Sequence, residues 1–192
     1  MKRIIVAASF ALIVPLAPVA AQQMPQPSAP GTVIVSSLRR FGNQYAGWLM
    51  TAFDSVPAAK YGYKPTPAQM SIGQVAAHLE DANYSICGRM SGLAHPMTAR
   101  DSAADTVKMT WPKDTLVARL KASFDFCKTA WDGMTDAKLV DSMPGFAPGR
   151  KIVRATLAVV FVTDLVDHYS QMANYMRLNG MIPPSSYPRP KP

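Results

Sequence analysis

An all-α four-helix bundle, with a long connection between its second and third helices, is the fold this sequence predicts. Three observations carry that reading. Four segments repeat apolar residues at the three-and-four spacing of one helical face. No segment sustains the period-two alternation of a half-buried strand, and the 17 prolines fall mostly near the two ends and in the connections. Helices with one apolar face each must bury those faces against one another. With 192 residues and 48% hydrophobic positions, the composition is that of a globular domain with a core large enough to fold alone. Two cysteines and the absence of a repeat exclude a disulfide-built miniprotein, a solenoid or a rod.

The first 21 residues have the order of a secretory signal peptide: Lys2 and Arg3, an apolar run from Ile4 to Leu16, then Val19, Ala20 and Ala21 before two glutamines. Pro15 and Pro18 interrupt the run, which disfavours a retained spanning helix. Cleavage after Ala21 implies a periplasmic or secreted product with no stable membrane insertion. Residues 22–31 read as an extended linker, 32–182 as the bundle and 183–192 as a proline-rich tail. The formal charge is +8, yet the basic residues are scattered singly rather than gathered into a stripe. In an exported chain they read as solvated surface, and no nucleic-acid partner is expected. A homodimer through exposed helix faces is compatible with the pattern.

The first helix, roughly Thr32 to Ser55, turns Leu38, Phe41, Tyr45, Trp48, Leu49, Ala52 and Val56 inward, and Pro57 stops it. Ser71 can cap the second, residues 71–91, whose stripe is Ile72, Val75, Leu79, Ala82 and Ile86. A connection of about twenty residues holds His95 beside Pro96, where it reads as solvated. Pro112 opens the third helix, with Leu116, Leu120, Phe124, Cys127 and Trp131 inward. A short helical turn over Thr135 to Leu139 and an irregular loop from Pro144 to Gly149 follow. The last helix runs from about Lys151 to Asn179, and Gly180 terminates it. Met50, Met70, Met172 and Met176 read as pliable core filler. Cys87 and Cys127 are an even pair in an exported chain, which favours a disulfide over two buried thiols.

The anomaly is polar. Along the inward stripe of the last helix, Asp164 and His168 interrupt Leu157, Phe161, Leu165 and Met172, although burying either alone is expensive. Four residues apart, they can converge on one ion or simply bond to each other. His78, flanking the stripe of the second helix, is the third candidate ligand. Asp81, one turn beyond His78, and Asp167, next to His168, are candidate proton carriers or outer carboxylates. Gln171 either orients a ligand or fills the bundle.

Three stretches, SIGQVAAHLEDANYSICGRM (71–90), KASFDFCK (121–128) and DHYSQMANYMRLNGMIPPSS (167–186), make the chain resemble the DinB-like superfamily of metal-binding four-helix bundles, exported branches included. The last stretch is the most specific, and the first helix matches by pattern only. The resemblance implies three metal-binding histidines, one on the second helix and a pair four apart on the last. His78 and His168 match two of them, and Asp164 stands where the family has the other. It implies a divalent ion, with zinc, nickel or iron compatible with two nitrogens and one carboxylate. It also implies transfer to or from a small thiol, or hydrolysis or isomerisation, at open coordination positions. Export argues against a cytoplasmic thiol cofactor. The alternative is a bundle without catalysis that binds a small ligand or has lost the metal.

Overall fold

The computed structural model describes residues 31–94, 96 and 103–188. The signal segment, nearly all of the linker, His95 and the end of the proline-rich tail lie outside them. The described residues form helices α1 (Val33–Ser55), α2 (Ile72–Ser91), α3 (Asp105–Lys108), α4 (Lys113–Trp131) and α5 (Arg154–Leu178), with a ribbon of β1 (Ser142–Pro144) and β2 (Lys151–Val153). α1 packs on α5 and α4, and α2 packs on the same two, so the four long helices close a ring. Leu49, Phe53, Leu79, Leu120, Leu157 and Leu165 are wholly buried at its centre. No described helix is long and apolar enough to cross a membrane.

Local chemistry sets the helix ends. The Ser71 hydroxyl accepts the Gln74 amide at 3.2 Å, and Gly92 closes α2 in the left-handed region with φ 79°. Thr32, at the N-cap position of α1, makes no side-chain capping hydrogen bond. Instead Asp136, in a single 3₁₀ turn over Asp136–Val140, accepts the amides of Ile34 and Val35 at 3.2 and 2.9 Å. A carboxylate there satisfies two orphan donors and faces the positive end of the helix dipole. Gly180, at φ 73°, ends the last helix as expected.

The structure corrects the sequence reading of the last helix's start, of Phe41 and of the tail. The last helix starts at Arg154, because Lys151–Val153 pairs antiparallel with Ser142–Pro144 in the register Ser142 to Val153 and Pro144 to Lys151. Strands of three residues are too short to display alternation. Phe41 is not inward: it is 46% exposed, and Gly42 takes the core-facing position. A Cβ on Gly42 would stand 2.8 Å from the Phe161 ring, so α1 and α5 approach closely only because that side chain is missing. The first residues of the predicted tail also pack: Pro183 and Pro184 are buried, and the Ser185 amide donates to the Tyr169 hydroxyl at 2.7 Å.

A disulfide joins Cys87 on α2 to Cys127 on α4, with Cα atoms 5.3 Å apart and both residues buried. About two turns away on the same two helices, the Glu80 carboxylate of α2 takes the Arg119 guanidinium of α4 in a two-point pair, at 2.6 and 3.1 Å. These ties fix α2, the helix that carries His78.

Candidate metal centre

His78 comes from α2, and Asp164 and His168 come from successive turns of the neighbouring α5. One ligand atom from each of the three lies within 4.8 Å of the other two. The imidazole centroids are 4.9 Å apart with planes inclined by 60°, and Nε2 of His168 is 3.7 Å from Oδ1 of Asp164. His168 is buried, whereas His78 and Asp164 are half-buried.

Asp164 bears the desolvation of the arrangement. Its Oδ2 is buried without a hydrogen-bond partner among the described residues. Burial pushes its carboxyl above the ordinary range, His168 and His78 pull it back, and Asp167 adds to the rise. Two imidazoles and one carboxylate turned toward a common point are a donor set suited to a divalent cation. A cation would also give Oδ2 the partner it lacks. The residues therefore fit the ion that the resemblance implies.

His168 is held from behind. Its Nδ1 meets the amide oxygen of Gln171 at 3.1 Å, which leaves Nε2 on the side of Asp164. The Gln171 amide in turn donates to the Tyr175 hydroxyl at 2.8 Å, and that hydroxyl donates to the Met70 carbonyl at 3.0 Å. The remaining acidic candidates stand apart. Asp81 is ion-paired with Nζ of the wholly buried Lys108; burial raises its carboxyl, Lys108 opposes the rise, and Asp105 adds to it. Asp167 is exposed and lines a cavity of about 730 Å³ that also reaches His168, Gln171, Asn174 and Arg177. Neither His78 nor Asp164 lines that cavity.

Asp105 and Lys108 are the residues that the sequence reading missed. They sit on the one-turn helix α3, inside the stretch read as a plain connection, and no local periodicity signals that it folds back on α2. Oδ2 of Asp105 lies 3.5 Å from Nδ1 of His78.

The family described as the DinB superfamily matches residues 48–172, a span that contains His78, Asp164 and His168. This chain belongs to the DinB superfamily. Similar solved structures include a DinB-like protein from Bacillus cereus ATCC 10987, at 18% identity and TM-score 0.61 over 79% of this chain and 97% of that one. A DinB-like protein from Bacillus subtilis gives 16% identity and TM-score 0.59, over 80% and 96%. A mycothiol-dependent maleylpyruvate isomerase gives 15% identity and TM-score 0.55, over 73% of this chain and 60% of the isomerase. At these identities the likeness is one of fold. No curated relative matches the DinB chain in sequence.

Proposed function

We propose that this DinB bundle is an exported protein, periplasmic or secreted, that binds one divalent ion (zinc, nickel or iron) through His78, Asp164 and His168. We further propose that it uses the site for transferase or hydrolase chemistry on a small molecule. The observation that carries the reading is the convergence of three ligand atoms within 4.8 Å around a carboxylate whose second oxygen is buried and unpartnered. When bound, such an ion is a Lewis acid that lowers the pKa of a water or thiol it meets.

The chain's own residues then divide the work. Gln171 holds His168 by Nδ1 and keeps Nε2 toward Asp164. Asp164 supplies negative charge where the family has a neutral imidazole, lowering the net charge of the filled site by one. Three protein donors leave coordination positions for a substrate. Asp167, exposed on the turn next to His168, is placed to carry a proton to the rim, whereas Asp81 is engaged by Lys108.

One observation favours a second reading, a ligand-binding bundle without catalysis. The cavity of about 730 Å³ shares only His168 with the trio, so a small molecule can occupy it without touching Asp164 or His78. Elemental analysis of protein purified without a chelating tag or chelator separates the two. The metal reading predicts one divalent ion per chain as purified and a substoichiometric content in His168→Ala. An ion-free wild type that is no more stable than the variant overturns it and leaves the ligand-binding reading.

A further inference from the structure

Each imidazole of the trio has a side-chain oxygen near its Nδ1, at 3.1 Å for His168 and 3.5 Å for His78. The first belongs to Gln171, and the second is Oδ2 of Asp105. Asp105 lies outside the trio whose ligand atoms converge. It is therefore placed beside a ligand rather than among the ligands, and an imidazole whose Nδ1 is taken by Asp105 has Nε2 left for an ion. Metal-binding histidines commonly give their other ring N–H to a carboxylate, which fixes the tautomer and the ring plane and makes the ligand nitrogen more basic.

The short helix that brings Asp105 to this place is itself pinned. Lys108, at its other end, is wholly buried, and its ammonium pairs with Asp81, three residues beyond His78 on α2. A buried lysine is costly unless paired, so the pair is a strong reason for this turn to lie on α2. Close approach reinforces it, since a Cβ on Gly73 would meet the Met109 carbonyl at 3.0 Å. His78, Asp81, Asp105 and Lys108 thus form one clamp across two helices.

We propose that Asp105 is the positioning residue of the metal centre, holding His78 through Nδ1–H so that Nε2 is presented to the ion, with the Lys108 to Asp81 pair locking α3 in place. The inference rests on the metal-binding reading above. In zinc competition titrations of the full chain, Asp105→Asn is expected to weaken binding about 10- to 100-fold, and Asp105→Glu to recover most of the loss. The far-UV circular dichroism of the chelator-treated Asp105→Asn variant should match wild type, which separates loss of positioning from loss of fold.

A second readout needs neither ion nor variant. Long-range proton–nitrogen correlation spectra of ion-free wild type at pH 8 should show neutral His78 protonated on Nδ1. A wild type that binds zinc, with Asp105→Asn binding equally tightly, overturns the inference and leaves the metal reading standing, as does a His78 protonated on Nε2. A wild type that binds no divalent ion removes the metal reading and this inference with it.

Discussion

The rings of His78 on α2 and His168 on the neighbouring α5 meet edge-on with centroids 4.9 Å apart, and the ligand atom that Asp164 contributes lies within 4.8 Å of one from each ring. Each ring has a polar group near its Nδ1, Asp105 for one and Gln171 for the other. Removing either ring deletes a ligand, not an orienting partner. His78→Ala and His168→Ala should therefore each lower zinc affinity by more than the roughly 10- to 100-fold expected for an outer partner. Competition against a chromophoric chelator measures it, and a loss in only one of the two variants would refute a shared site.

Asp164 should be a liability without an ion and an asset with one. Burial raises its carboxyl above the ordinary 3.8. The ion-free fold therefore holds a proton at a pH where the unfolded chain has released it. The stability this proton provides is full below the ordinary value and is lost as pH rises through the raised one. In chelator at pH 7, Asp164→Asn should melt higher than wild type by about 2–4 °C, corresponding to about 1 kcal/mol, and the gap should narrow as pH falls toward 4. Saturating zinc should reverse the order, since binding stabilises only the chain that keeps its ligand. Calorimetric scans over pH, with and without zinc, test both signs.

The Cys87 to Cys127 bridge closes a sequence separation of 40 residues between α2 and α4. On the chain-entropy model such a crosslink contributes about 4 kcal/mol. The double variant Cys87→Ala with Cys127→Ala should melt lower by roughly 10 °C. Denatured but unreduced wild type should titrate with no free thiol, and two thiols per chain would contradict the bridge.

Glu80 is almost wholly buried, with the Arg119 guanidinium bound to both its oxygens, and Arg119 also lies 5.0 Å from the Trp111 ring centroid. Arg119→Met leaves that carboxylate without its cation and should cost about 3–5 kcal/mol. Adding Glu80→Gln should recover part of the loss. Denaturant unfolding of the double-mutant cycle measures the coupling, and strictly additive losses would show that the pair is incidental.

Much of this architecture is legible in the sequence because it is periodic. The apolar stripes locate the four long helices to within a few residues, and the four-residue step from Asp164 to His168 marks an inward face bearing ionisable groups. What escapes has no local period. Phe41 and Gly42 exchange places because the tight approach to Phe161 is a property of two helices. The ribbon is too short to alternate. Asp105 lies 27 residues from His78, and Lys108 27 from Asp81, so their contacts come from how the connection docks on α2, which single-helix patterns do not encode.

In the proposed centre, two helices bring His78, Asp164 and His168 around one divalent ion. X-ray absorption at the zinc edge, on stripped protein reloaded with one equivalent of zinc, tests it most directly. The expected first shell contains two imidazole nitrogens and a carboxylate oxygen at about 2.0–2.2 Å, with one imidazole lost in His168→Ala. A spectrum of hydrated zinc, or one unchanged by that substitution, would contradict it.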